Sequence, residues 1–182
     1  IPRKVGDKAE GLLKFTVGDY GLTRGDFWVG TPVGNGWKLS AGGFYRTDSG
    51  IRDPKFNAND GGQIRLNLAR DFEGGSFSAD VKHLDDKVAL YLGIPMRTTA
   101  SGDIRAVPGF DGNYGTLAGP ETENLTFRTN RGPYAFDQGK GSDLKLTQYT
   151  LQGTLDLAGW QIKEGLRYRT SELNRSALFP NT

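Results

Sequence analysis

WKLSAGGFYRT, residues 37–47, is written a second time as WQIKEGLRYRT, residues 160–170. In both, Trp is followed by Gly at the fifth position, by Tyr at the eighth and then by Arg-Thr, while the letters between mostly differ. Read alternately, the first copy separates Trp37, Leu39, Ala41, Gly43 and Tyr45 from Lys38, Ser40, Gly42, Phe44 and Arg46. The second separates Trp160, Ile162, Leu166 and Tyr168 from Gln161, Lys163, Arg167 and Arg169, with Glu164 the one charge on the apolar parity. Successive side chains of a β-strand point to opposite faces, so a period of two predicts strands with one apolar and one polar face. Eight residues at about 3.3 Å span roughly 26 Å, or about 20 Å of height at a tilt near 40°, close to the roughly 25 Å apolar band of a membrane barrel. Indole and phenol rings pair an apolar body with a polar tip, which suits the edges of such a band. Trp37, Tyr45, Trp160 and Tyr168 are therefore predicted to form a membrane-interface girdle.

The same alternation recurs along the chain. Leu13, Phe15 and Val17 alternate with polar or small residues, as do Ile64, Leu66 and Leu68, then Phe77, Ala79 and Val81, then Leu151, Leu155 and Leu157. A further strand over 22–31 carries Phe27 and Val29 on the apolar parity and drops Trp28 on the polar one. Gly-, Pro- and Asn-rich turns fall at 31–36, 71–75 and 157–159, whereas long polar segments fall at 49–61 and from about 85 to 142. Only the short link 18–21 breaks this alternation of long and short connections. The expectation is all-β: an antiparallel up-and-down meander of about seven strands, part of a transmembrane β-barrel. A soluble sandwich also has alternating strands, but its strands are usually nearer 5–6 residues, and several here reach eight or more with polar letters kept to one parity.

Composition removes other classes. The chain has 182 residues and a net charge of +2, too mild for a nucleic-acid partner. It has no Cys, hence no disulfide and no thiolate metal site, and a single His, His83. No run of 18 apolar residues offers a spanning helix. The adjacent Asp85 and Asp86 beside Lys87 read as solvated rim charges, not an acid–base pair, and His83 as a rim residue on the apolar parity. The loops NANDGG (57–62) and DGNYG (111–115) are explained by turn formation without a calcium ion, and GKGS (139–142) lacks the spacing of a phosphate loop. No catalytic residue, metal or cofactor is expected. Ligand-binding candidates are the polar-parity residues near one rim, Arg46, Asp48, Lys82, Arg167 and Arg169. The long loop adds Tyr91, Arg97, Arg105, Phe110, Tyr114, Arg128, Arg131 and Tyr134, a mix of cations and aromatics that suits an anionic chelate or a sugar.

Four segments together carry a family resemblance. GFYRTDSGIRDPKFNANDGGQIRLNLARDFEGGSFSADVKHLDDKVALYLGIPM (43–96) resembles the early barrel of TonB-dependent outer-membrane receptors of Gram-negative bacteria. EGLLKFTVGDYGLTRGDFWVGTPVGNGW (10–37) looks like the first barrel hairpin after the plug domain, and GNYGTLAGPETENL (112–125) and RSALFP (175–180) are similar to later pieces. The resemblance implies an outer-membrane receptor that imports a scarce ligand (a ferric siderophore, an oligosaccharide or a vitamin) with energy from an inner-membrane TonB complex. It implies a plug domain and the remainder of a barrel of about 22 strands as partners, with lipid around them. Residues 1–10 would be the plug-to-barrel tail and 11–182 the N-terminal portion of the barrel, with an outer loop at about 85–142. The alternatives are a passive porin-like barrel and a soluble all-β binding or adhesion module. Unpaired edge strands and an apolar outer face predict that the purified chain aggregates or requires detergent; a sharp, monomeric, cooperative melt in plain buffer contradicts this.

Overall fold

The structure, a computed structural model, describes residues 3–91 and 93–178. The end of the RSALFP segment lies outside them, as do the first two residues of the expected tail. Seven antiparallel strands form one sheet: β1 (Glu10–Val17), β2 (Thr23–Gly34), β3 (Trp37–Asp48), β4 (Asn59–Phe72), β5 (Gly75–Val88), β10 (Ser142–Leu157) and β11 (Trp160–Arg175). Their spatial order follows the chain, an up-and-down meander with β1 and β11 at its edges. The segment between β5 and β10 holds two small hairpins, β6 (Met96–Thr98) with β7 (Ile104–Ala106) and β8 (Asn124–Thr129) with β9 (Gly132–Asp137). A single helical turn, α1 (Pro120–Glu123), stands between them.

The expected division of connections is present. Three tight turns lie at one end. Asn35-Gly36 and Ala158-Gly159 have positive φ at both central residues, the backbone that two-residue hairpins need to match strand twist. These turns are tied sideways: Gly36 O accepts from the Asp71 amide at 3.2 Å, and Gly74 O accepts from the Asp156 amide at 2.7 Å. The longer connections leave from the other end. There the loop 49–58 is joined to the β1–β2 turn by the Ser49 amide donating to Tyr20 O at 2.9 Å.

Register decides which residues share a face. One face carries Phe27, Val29, Leu39, Ala41, Ile64, Leu66, Leu68, Ala79, Val81, Leu151, Leu155, Ile162 and Leu166, cross-strand neighbours in unbroken ladders. The other carries Trp28, Ser40, Arg65, Asn67, Asp80, Lys82, Thr150 and Arg167. Burial is inverted relative to a water-soluble protein. Leu39, Leu66, Val81 and Ile162 are 44%, 48%, 38% and 45% exposed, whereas Ser40, Asp80 and Thr150 are buried. Among the described residues the buried apolar side chains are Val5, Pro54, Ala58 and Phe136, none of them in the seven-stranded sheet. Among the described residues no second layer covers the apolar face, and each large side chain on it forgoes part of the roughly 1.5–3 kcal/mol that full burial yields.

The two repeated stretches occupy different heights in this ladder. From Trp37 the register passes through Arg70, Phe77 and Gly153 to Glu164, four residues beyond Trp160. From Tyr45 it passes through Gly62, Asp85 and Lys145 to Glu172, four residues beyond Tyr168. Both ends of the aromatic frame slip by the same four residues over four strand-to-strand steps, an average of one residue per strand. At about 3.3 Å per residue and about 4.8 Å between strands, the line joining equivalent residues makes an angle of about 35° with the perpendicular to the strands.

Three residues that are neither Gly nor Asn hold positive φ among the described residues, Tyr20, Lys55 and Ala158, and each works against the fold. Ala158 holds φ +50° in the β10–β11 turn, a conformation that costs an L-residue with a Cβ roughly 1–2 kcal/mol. Ala158→Gly is expected to raise stability by about 1 kcal/mol, visible as a higher urea midpoint in detergent with an unchanged slope.

Candidate functional site

The polar face is the surface on which the sequence-predicted rim residues converge. Its rows, read across strands, begin with Trp28, Gly42, Arg65, Lys82, Gln148 and Arg169. The next row toward the tight turns is Gly30, Ser40, Asn67, Asp80, Thr150 and Arg167. Trp28, which the pattern put on the wrong parity for an apolar residue, has a specific seat. A Cβ at Gly42 would stand 2.9 Å from its ring and one at Gly30 2.7 Å, so two glycines leave room for the indole to lie along the strands. The chain before β1 packs on the same spot: Val5 is buried there, and the Arg3 guanidinium sits 4.6 Å from the Trp28 ring centroid.

Charges on this face fall into two zones. Over β2 to β5 they neutralise one another. Arg24 donates to Asp26 at 2.6 Å and stacks on Phe44 with its guanidinium carbon 4.0 Å from the ring centroid. Arg65 pairs with buried Asp80 at 2.7 Å, and Asp80 also accepts from Ser78. Arg46 reaches Asp86 at 3.0 Å although β4 runs between their strands. The reach is possible because the residue between them in register is Gly61, at φ +146°, where a Cβ would meet the Asp86 carboxylate at 2.9 Å. Over β5, β10 and β11 compensation stops. Lys82, Lys163, Arg167 and Arg169 make no ion pair among the described residues, and Gln148, Thr150, Gln152 and Thr154 separate them.

The predicted candidates therefore divide. Lys82, Arg167 and Arg169 are brought together as a stripe of free cations. Arg46 is held by Asp86, and Asp48 is taken up by the Gly50 amide and the Asn59 side chain. The loop candidates lie on separate pieces. Arg97 and Arg105 face each other across β6 and β7, with Asp103 3.3 Å from Arg105. Tyr114 is exposed in the turn that opens at Asp111, with Phe110 just before it. Arg128 stands opposite Pro133 on β8–β9, Arg131 is at that hairpin's tip, and Tyr134 faces Phe127, whose ring meets Phe136 edge-on at 5.7 Å. Tyr91 packs over Gly50, and burial pushes its phenol above the ordinary value. No hydrogen bond among the described residues joins these loop side chains to the stripe.

Sequence reading passed over several contributors. Arg65 and Lys163 sit on the polar parity that singled out Lys82 and Arg167, so the signal was there. Tyr149 joins the girdle on β10, stacked on Tyr168 at 6.5 Å. Arg52 lies in a loop, where no periodicity exists to mark it; Asp111 opens the DGNYG stretch whose turn the sequence does mark, and the turn is present. Asp111 accepts the Asn113 and Tyr114 amides, which hold its carboxyl below the ordinary value; Asp53 is lowered likewise by the side chain and amide of Lys55. Both depressed groups contribute loop stability that is full above the usual carboxylate value of about 4 and is lost as pH falls through their lower folded values.

The girdle residues all lie on the apolar face. Trp160, Tyr168 and Tyr45 are exposed; Trp37 is half covered, with the Arg70 guanidinium 5.3 Å from its ring centroid, and the Tyr45 hydroxyl donates to Asp60. Beyond Tyr45, Tyr149 and Tyr168 that face changes character, to Asp60, Asp85, Lys87 and Lys145, with His83 3.0 Å from Thr147 at the transition.

Comparison with family models, with curated proteins and with solved structures finds no match to this chain.

Gly61 is the position on which the cross-strand Arg46–Asp86 pair depends. Gly61→Val is expected to cost about 1–3 kcal/mol through its φ and the displaced Asp86. Denaturant midpoints of Gly61→Val, Asp86→Asn and the double variant check this: the pair's share is the part that does not add.

Proposed function

We propose that this chain is a section of a transmembrane β-barrel wall in the outer membrane of a Gram-negative bacterium, the N-terminal part of the barrel of a TonB-dependent receptor for energy-coupled uptake of a scarce ligand. The observation that carries the membrane part is the sloping aromatic frame. A band of exposed apolar residues, bounded by Trp on one side and Tyr on the other, climbs by an average of one residue per strand. For that band to be level in a bilayer the strands must tilt by about 35°, and spanning barrels tilt by about 35–45°. A sandwich has no reason to keep such a slope, because its apolar residues answer to a second sheet and not to a flat slab of hydrocarbon.

The polar face then lines the lumen. Its free cations, Lys82, Lys163, Arg167 and Arg169, favour a ligand bearing carboxylate or other oxyanion groups, drawn by charge and held by forked hydrogen bonds from the two guanidiniums. The lumenal reading also accounts for Arg3 and Val5: the segment leading into β1 runs along the wetted wall, where a tail from a plug would enter. The TonB-dependent assignment rests on the sequence resemblance, and the receptor's plug, the rest of the barrel and the inner-membrane complex are its proposed partners.

Tryptophan depth tests the membrane reading. In vesicles of lipids brominated at chosen acyl positions, single-Trp variants retaining Trp37 or Trp160 are expected to be quenched equally by shallow bromines, and one retaining Trp28 is expected to be unquenched. Strong quenching of Trp28, or unequal depths for the other two, overturns the slope argument. For transport, ligand accumulation by cells carrying the complete receptor is expected to stop when the proton gradient is collapsed; persistence would favour the passive barrel.

A further inference from the structure

The loop 49–58 and the long segment after β5 meet at one side chain. The Arg52 guanidinium donates to Gly115 O and, at 3.3 Å, to Gly112 O. Those two carbonyls are presented by a tight turn: Asp111 Oδ1 accepts the Asn113 and Tyr114 amides at 2.8 and 3.1 Å, and the Gly115 amide donates to Asp111 O at 2.8 Å. Arg52 itself stands on a well-packed base, with Pro54 and Ala58 fully buried and the Ala89 amide bonded to Ala58 O. No carboxylate lies within ion-pairing distance of Arg52 among the described residues. A half-exposed guanidinium thus spends its fork on neutral acceptors.

We propose that Arg52 is an oxyanion-released latch: it holds residues 107–119, and with them the exposed Tyr114, against the loop 49–58 until an anion takes its place. Hydrogen bonds from a guanidinium to a carboxylate or phosphate are roughly twice as strong as those between neutral groups, and their fork geometry matches Arg better than two separate carbonyls do. When the fork turns to an anion, the Asp111–Gly115 turn loses its only side-chain tie to the loop 49–58 among the described residues, and the segment 107–119 loosens between its ends, which stay bonded at Val107 to Pro95 O and at Gly119 O to the Thr122 amide. The inference concerns the two loops alone and stands whether or not the apolar face meets lipid.

Hydrogen–deuterium exchange read by mass spectrometry on the folded chain in detergent micelles tests it, with citrate as the probe and sodium chloride of equal ionic strength as the control. Arg52→Gln is expected to speed exchange in peptides covering 107–119 by about tenfold while β4 and β5 stay protected. Citrate is expected to do the same to the native chain, sodium chloride is not, and Arg52→Gln is expected not to respond further. Unchanged exchange in Arg52→Gln shows there is no latch. A citrate effect matched by sodium chloride, equal in both chains, or absent shows that an oxyanion does not release it. If Arg52→Gln also loses protection in β4 and β5, Asp111→Ala, which removes the acceptor that shapes the turn, provides the same readout with the guanidinium in place: it is expected to loosen 107–119, and no change there overturns the proposal.

Discussion

Cross-strand pairing register is the constraint from which the rest of this structure descends. Side chains alternate with a period of two, so a slip of one residue in any strand would carry its leucines to the polar face and its arginines to the apolar one. The ladder from β2 to β11 makes no such slip; its one irregularity, between Pro32 and Gly34, falls at the very end of β2 beside the Asn35-Gly36 turn. Pro has no amide to donate, and a bulge at a strand end is where a sheet tolerates it. The fidelity of the two faces over seven strands is therefore a property of hydrogen-bond geometry first and of side-chain preference second.

On the polar face, glycine acts as the organising residue. A missing side chain at 42 lets Trp28 lie flat, and one at 61 lets Arg46 cross β4 to Asp86. In the second case two residues on non-adjacent strands interact over the gap, so the wall is braced across three strands there. Ion pairs take up Arg24, Arg46 and Arg65 on β2 to β4, whereas Lys82, Lys163, Arg167 and Arg169 on β5 and β11 stay unpaired among the described residues.

The alternation made the faces, the strand count and the sense of the meander legible before any coordinates. Strand lengths were not. β4 begins at Asn59, β5 runs to Val88 and β10 starts at Ser142, well beyond the apolar letters. Those extensions put Asp60, Asp85, Lys87 and Lys145 on the face that is elsewhere greasy, so the hydrophobic signal disappears while the backbone ladder continues. Hydrogen bonds between main chains leave no mark on sequence polarity. The role of Arg52 was invisible for a related reason: it acts on carbonyl groups whose position depends on a turn sixty residues away, and no local pattern encodes that.

The climb of the aromatic frame from β3 to β11 gives the sheet a pitch, much as a thread does a screw. The climb is an average: Tyr149 stands directly opposite Tyr168, and a slip of one residue would turn a ring to the other face, so rings that keep to one face advance in steps of two residues that amount to one per strand over the four steps. The pitch is thus already fixed by how these seven strands pair.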